Sequence, residues 1–388
     1  MTAFRLDPSA VAEARSRAEA RAAAGQGPGL AERVRSGDRL PHGDLATLLL
    51  SPDVDTEELL ALAERSRPGR PHIETFSPLY ITNECDAECA MCGMRRLNQT
   101  LVRETADDLT VEAQLDLLHR RGLRAVALLT GEFRHGARRD EMISRATRAL
   151  GSALDLGFEH VLINIGALER KEYEKLLATV PRNAAGRIKP HLTMCTFQET
   201  YDPSSYGRFM GANPENPRAD FVRRLENFDR AADAGMNSVN PGILLGLNRD
   251  LGYELIALLA HVQHLVALGL NVYVSLPRLR KASGTEHRGG ISDEMLYRIV
   301  AVLSFGAPDA KVVISTREPS AVQRRLLPVI GVLTPGSPGV APYTETGARF
   351  ELDASQFEVL DKRPIEAILG EFLATGATID GYVPRASA

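Results

Sequence analysis

Cys85-Asp86-Ala87-Glu88-Cys89-Ala90-Met91-Cys92 gathers three of the chain's four cysteines into eight residues, at the spacing C-x3-C-x2-C. Thiolates are soft ligands that select iron–sulfur clusters, zinc or copper(I). A closed structural zinc site takes four protein ligands, and neither a fourth Cys nor a His stands near these three. A cubane cluster has four irons, so three thiolates leave one iron open to another ligand. The plain alternatives are three buried free thiols, or zinc completed from a distance, because short motifs also arise by chance.

At 388 residues the chain is long enough for one large domain or two ordinary ones. Its 44% hydrophobic and 25% charged residues are ordinary globular usage. A net charge of -4 gives no ground for nucleic acid as a general partner. No apolar run reaches the ~20 residues of a membrane span, and the N-terminus lacks a signal-peptide core. The Ala/Arg-rich stretch from Ala10 to Ala24 carries Glu13 and Glu19, which fits a helix better than a transit peptide. Three clustered cysteines and an isolated Cys195 do not form a disulfide framework. An oxygen-sensitive cluster needs a reducing compartment, so a cytoplasmic location without membrane contact is expected.

Residues 1–72 read as a helical extension, with Thr56 as the cap of a helix carrying Leu59, Leu60 and Leu62. Strands are expected near 75–82, 124–130, 159–165, 191–197, 238–244, 271–276, 311–316 and 328–333, with helices between them. Leu251, Leu255, Leu258, Leu259, Val262, Leu265 and Val266 recur at a helical period. Ser292 opens another helix, with Asp293 and Glu294 where acids suit its dipole. Eight strands alternating with helices imply an α/β fold, most simply a (β/α)8 TIM-type barrel spanning 73–340. The runner-up is an open doubly wound sheet. Residues 341–388 are expected as a C-terminal segment packing on the barrel.

Chemistry in such barrels gathers at the C-terminal ends of strands. Unusual polar residues fall there in phase: Tyr80 and Asn83 before the cysteines, Thr130-Gly131-Glu132, Asn164, Gln198-Glu199-Thr200-Tyr201, Asn240-Pro241-Gly242, Pro277-Arg278-Leu279-Arg280, Thr316-Arg317-Glu318-Pro319 and Thr334-Pro335-Gly336-Ser337. The cysteine spacing and the tripeptide Thr130-Gly131-Glu132 resemble those of the radical S-adenosylmethionine (SAM) enzymes. That resemblance implies a [4Fe-4S] cluster on Cys85, Cys89 and Cys92, with SAM on the open iron. Glu132 would hold the SAM ammonium, Glu199 its ribose, and Arg224 or Arg223 its carboxylate through a bidentate fork. Asn164 is counted with these cofactor contacts. Met91 stands where many relatives place an aromatic residue against adenine, and a thioether also packs on a ring.

Within that superfamily, the stretches Phe76–Cys92, Leu129–Glu132, Phe197–Tyr201, Leu276–Arg280, Thr316–Pro319, Pro335–Pro338 and Ser355-Gln356-Phe357 look like the tryptophan lyases that make 3-methyl-2-indolic acid. The tyrosine lyases of thiazole synthesis and hydrogenase maturation share the Gln-Glu-Thr-Tyr and Pro-Arg motifs. The hydrogenase-maturation relatives carry a second, C-terminal cysteine cluster, and no cysteine follows Cys195 here. The resemblance implies a 5'-deoxyadenosyl radical that takes hydrogen from the substrate's amino group, followed by fragmentation of the side-chain bond. Arg317 would clamp the amino acid's carboxylate, Tyr80 would touch the substrate, and Thr334 would stand where the tryptophan enzymes have Ser. An electron donor such as flavodoxin or ferredoxin is the expected partner. The alternatives are a lyase acting on tyrosine or another amino acid, and a non-catalytic metal-binding scaffold. For Arg317 the bland alternative is a rim salt bridge with Glu318 or another acid.

Overall fold

The computed structural model describes residues 3–285, 290–336 and 356–384. Ser337, Pro338 and Ser355, named above, lie outside the described residues, as do positions 341–355 of the expected C-terminal segment. Ten strands form one sheet: β1 His72–Thr75, β2 Ser77–Tyr80, β3 Ala125–Leu129, β4 His160–Asn164, β5 His191–Met194, β6 Ser238–Val239, β7 Asn271–Ser275, β8 Ala310–Ser315, β9 Val332–Thr334 and β10 Thr378–Asp380. All pairings are parallel, in the order β10-β1-β9-β8-β7-β6-β5-β4-β3-β2.

Sequential neighbours rule out the doubly wound alternative, whose strand order reverses. The first expected strand is two. β1 pairs with β9 and β2 with β3, and only Phe76 separates β1 from β2. One short stretch thus carries the chain from β1, beside one end of the strand order, to β2 at the other end. The Thr75 hydroxyl donates to Leu333 O at 2.8 Å and the Ser77 hydroxyl to Pro335 O at 3.1 Å, tying the seam.

Several expected strands end early. β5 stops at Met194 and β6 at Val239, before Asn240-Pro241, where Pro has no N–H for a ladder. Residues 328–331 are the unwinding end of the helix Ser320–Leu326, with Val329 N bonded to Leu326 O at 2.9 Å, so β9 starts later than expected. Strand interiors such as Ala125-Val126-Ala127-Leu128-Leu129 are wholly buried, as parallel strands covered on both faces must be.

Helices Pro8–Ala23, Gly27–Arg35, His42–Leu50 and Thr56–Arg65 form the N-terminal extension. The cap of the last is Asp55, not Thr56. Asp55 is extended and its carboxylate accepts from Glu58 N at 2.6 Å, while Thr56 bonds Glu294 at 3.3 Å. Arg298, on the helix Asp293–Gly306, fixes the extension to the barrel by donating to the carbonyls of Leu48, Leu49, Ser51 and Val54. At the other end, the helix Ile365–Ala374 leads into β10, which the sequence did not announce. β10 lies on the free side of β1, and the residues after it bond Arg124 and Gly122 ahead of β3. It fills the gap where β1 and β3 diverge. Among the described residues no helix is long and apolar enough to cross a membrane.

Candidate active site

The cysteine loop leaves β2 and folds across the C-terminal mouth of the barrel. Arg103 organises it by donating to the carbonyls of Asn83, Met94 and Arg95 at 2.7–2.9 Å. Gly131 lets β3 come close: a Cβ there would stand 2.0 Å from Glu84 O and 2.6 Å from Cys85 Cα. Cys85 Sγ in turn accepts from Glu132 N at 3.3 Å and Ala87 N at 3.4 Å.

Cys85, Cys89 and Cys92 line one open cavity of about 940 Å³, and none is in a disulfide. Burial pushes the Cys85 thiol up to about 11 and the Cys89 thiol up to about 12, with the neighbouring cysteines adding to it. Such thiols give up their protons to a metal's charge rather than to solvent. Among the described residues no three His, Cys, Asp or Glu converge as the ligands of a single ion would. A cubane carries its thiolates on separate irons, so three separated thiols on one cavity wall suit a cluster.

The facing wall is charged and largely buried. Glu132 accepts from Ala167 N at 2.9 Å and Arg224 Nη1 at 2.8 Å, and Arg218 stands 3.7 Å away. Burial raises its carboxyl, but the guanidinia of Arg224 and Arg218 outweigh this and hold it below the usual range. Gly166, at φ +92°, makes room: a Cβ there would meet Glu132 Cγ at 2.5 Å. Arg218 donates to Glu199 at 2.7 Å, while its buried Nε, 3.7 Å from Glu132, makes no hydrogen bond. Glu199 is the only non-glycine with positive φ among the described residues, at 72°. Strain of this kind persists where surroundings enforce it. The enforcing group is Glu254, which accepts from Thr200 Oγ1 at 2.5 Å, Tyr201 N at 2.9 Å and Asn248 at 3.0 Å.

Deeper in the barrel a second cavity, of about 640 Å³, shares Tyr80, Leu129, Asn164, Phe197, Pro277, Arg317, Gln356 and Phe357 with the first. Its walls are mostly apolar, with Phe76, Ala127 and Val313 among them. Arg317 is half-buried and makes no ion pair among the described residues. Glu318 turns away to Arg278 and to Arg280 at 2.7 Å, so the alternative rim pair with Glu318 does not form. The Arg317 guanidinium lies 3.1 Å over the Phe357 ring, and burial lowers its pKa to about 10, leaving it charged at neutral pH.

The sequence-derived residues thus divide between the two cavities. Cys85, Cys89, Cys92, Met91, Glu132, Glu199 and Arg224 line the first, Thr334 the second, and Tyr80, Asn164 and Arg317 both. Arg223 points outward to Glu169 at 2.8 Å, so Arg224 is the cavity arginine. The Tyr80 hydroxyl does not project free; it donates to Gln356 at 2.9 Å. Glu132 is answered by the protein itself, through Arg224 and Ala167. Sequence reasoning missed Arg218, Gln356 and Phe357. Arg218 sits in an Asn/Pro-rich loop with no periodic signal, whereas Gln356-Phe357 stood within a family-like stretch but carried no role.

A parallel α/β barrel, three separated thiols at its mouth and a charged pocket with a guanidinium donor left without a hydrogen bond suit the chain's cofactors, a [4Fe-4S] cluster and SAM. No family model matches the chain. The 2-iminoacetate synthase of Escherichia coli is 26% identical to it over 375 residues, covering 92% of each chain. A crystal structure of HydG, a maturase of the [FeFe]-hydrogenase, superimposes with a TM-score of 0.79 at 26% identity, over 96% of this chain and 79% of that one. HydG of Carboxydothermus hydrogenoformans has the same fold, with a TM-score of 0.80 at 23% identity over 97% of this chain and 86% of that one.

Proposed function

We propose that this protein is a lyase that fragments an aromatic L-amino acid bound in the second cavity. The observation that carries this reading is Arg317: a charged guanidinium that meets no carboxylate among the described residues, in a cavity with mostly apolar walls. Leaving such a charge unpaired is costly, and an amino acid's carboxylate supplies the missing partner through a bidentate fork. The mostly apolar walls receive the aromatic side chain.

The relatives favour tyrosine. A 2-iminoacetate synthase makes, by its name, the two-carbon remnant of an amino acid that has lost its side chain, so its bond of choice is Cα–Cβ. Tryptophan is the second reading, carried by the Thr316-Arg317-Glu318-Pro319 stretch; Thr334 at the end of β9 departs from the Ser of the tryptophan lyases. When bound, the cluster and SAM supply one-electron chemistry that removes a hydrogen atom from the substrate. The chain's own residues orient and enclose. Arg317 holds the carboxylate, the Phe357 ring packs against the guanidinium, and the shared wall at Asn164 and Leu129 brings the amino group toward the first cavity. Arg224 and Arg218 present donors on the charged wall of that cavity, where SAM's carboxylate would lie. A small one-electron carrier such as a flavodoxin or ferredoxin would reduce the cluster.

The test is anaerobic incubation of the reconstituted protein with reductant, SAM and either L-tyrosine or L-tryptophan, followed by mass analysis. Tyrosine should yield 2-iminoacetate or its hydrolysis product together with a hydroxybenzyl-derived fragment. Release of 3-methyl-2-indolic acid from tryptophan instead would transfer the assignment to the second reading. SAM cleavage stimulated by neither would refute both.

A further inference from the structure

The chain returns over the barrel mouth as a strap, residues 356–363, bonded to three separate loops. Gly93 N donates to Gln356 O at 3.0 Å, Glu358 N to Lys281 O at 2.8 Å, and Leu360 N and Asp361 N to Thr316 O at 3.1 Å each. Asp361 is held in turn by Gln323 at 3.0 Å and Arg363 at 2.7 Å. Because the seat is made largely by backbone, the Gln356 side chain is spare. It lies where the two cavities meet. Its Nε2 donates to Cys92 Sγ at 3.5 Å and its Oε1 accepts from the Tyr80 hydroxyl at 2.9 Å. The chemistry of the partners fixes the amide's orientation: a metal-bound thiolate only accepts, and a phenol has a proton to give.

We propose that Gln356 tunes the reduction potential of the cluster through Cys92 and couples that potential to the substrate cavity through Tyr80. A hydrogen bond to a cluster sulfur stabilises the reduced, more negative state and raises the potential. The Tyr80 hydroxyl bonded to the amide's oxygen polarises the amide and strengthens its N–H as a donor, since chained hydrogen bonds reinforce one another. An amino acid that competes for the Tyr80 hydroxyl therefore alters the bond at Cys92 without touching the cluster. The proposal rests on the three cysteines holding the cluster and is independent of which amino acid is cleaved.

Redox titration of the full-length reconstituted protein, followed by electron paramagnetic resonance with no SAM or amino acid present, reads the effect directly. Gln356→Leu should retain the parent's iron content, because Gly93 bonds the backbone of residue 356. It should shift the potential to more negative values, lowering the reduced-to-oxidised ratio several-fold at fixed potential; a tenfold fall corresponds to about 59 mV for one electron. Tyr80→Phe should shift it in the same direction by less. Gln356→Glu, which keeps the length but replaces the donor with an acceptor, should shift it at least as far as Gln356→Leu. A parental potential in Gln356→Leu, or a positive shift, would overturn the proposal. So would loss of the cluster in both Gln356 variants, which would make the residue a scaffold for the loop. Turnover of tyrosine or tryptophan plays no part in the readout, so failure here leaves the proposed activity standing, and the reverse also holds.

Discussion

The two ends of the barrel treat buried charge in opposite ways. At the N-terminal end, the Glu74 carboxylate accepts from the Tyr273 hydroxyl at 2.5 Å and pairs with the half-exposed Lys311. His160 stacks on His191 at 3.9 Å and bonds Thr193 at 2.7 Å, and Thr193 passes a bond to Ser238 at 2.9 Å. Charged groups there are answered by the protein. At the mouth, among the described residues, Arg317 has no carboxylate, Arg218 Nε makes no hydrogen bond, and three thiols face a cavity. Buried charge without a partner is expensive, so a fold that keeps it is reserving it for something that binds. The floor is built for stability and the mouth for ligands, as the barrel architecture allows. Two arginines near the mouth make the same point at close range: Arg278 is spent on Glu318 and Asp293, whereas Arg317 meets the Phe357 ring and no carboxylate among the described residues.

The largest effect should come from the thiols. Cys85→Ser, Cys89→Ser or Cys92→Ser replaces a soft ligand by a hard one and should abolish both cluster absorbance and SAM cleavage. Cys195→Ser should keep both, since Cys195 lines only the second cavity and bonds Asn240 at 3.5 Å; cluster loss there would break the division of the mouth into two cavities.

Next is Arg317. Arg317→Ala should weaken amino-acid binding by about 2–5 kcal/mol, the cost of truncating one partner of a buried charged pair. Iron content should be unchanged, and SAM cleavage should persist without product. Arg317→Lys should rescue only in part, having no fork. Parental turnover in Arg317→Ala would return the residue to the structural class of Arg278.

A smaller effect should separate the two ends by pH. Burial lowers the pKa of His160 and His191 at the floor, and lowers that of His261, behind the barrel wall, to about 3. The unfolded chain binds protons at these positions below about pH 6.5, whereas the fold keeps them neutral. Their contribution is therefore intact above about pH 6.5 and is lost as the pH falls, for His261 down to about 3. Urea midpoints at pH 7.5 and 5 should differ, and His261→Gln should reduce the difference. Among the described residues no histidine lines either cavity, so the same pH change should leave cluster content unaltered. The smallest effect is expected of Lys311→Met. Its pair with Glu74 is half-exposed and worth at most about 1 kcal/mol, so the melting temperature should fall slightly and turnover should not change.

How much of this was legible in the sequence follows from how local each feature is. The cysteine loop and Thr130-Gly131-Glu132 could be read because spacing carries them, although the main reason for Gly131 is its contact with Glu84 and Cys85. Barrel order could be read from alternating strands and helices. Strand ends could not, because Asn240-Pro241 and the turn after Leu326 override propensity. Arg223 and Arg224 are adjacent on one short helix, and only tertiary packing decides which faces the cavity. Gln356 meets Cys92 across 264 residues of sequence, a contact that no periodicity encodes. Nor did the sequence indicate that Glu132 would already be satisfied by Arg224 and Ala167.

The central claim is that the unspent charge at Arg317 awaits an amino acid's carboxylate. The most direct measurement compares SAM cleavage by the reconstituted, reduced protein with L-tyrosine or L-tryptophan against cleavage with the corresponding amino-acid amide. The amide keeps the amino group and the ring but offers the guanidinium no negative charge. The account predicts that at least one free acid stimulates 5'-deoxyadenosine formation, that its amide does so at least tenfold less well, and that the gap closes in Arg317→Ala. Equal stimulation by acid and amide in the parent protein would contradict it.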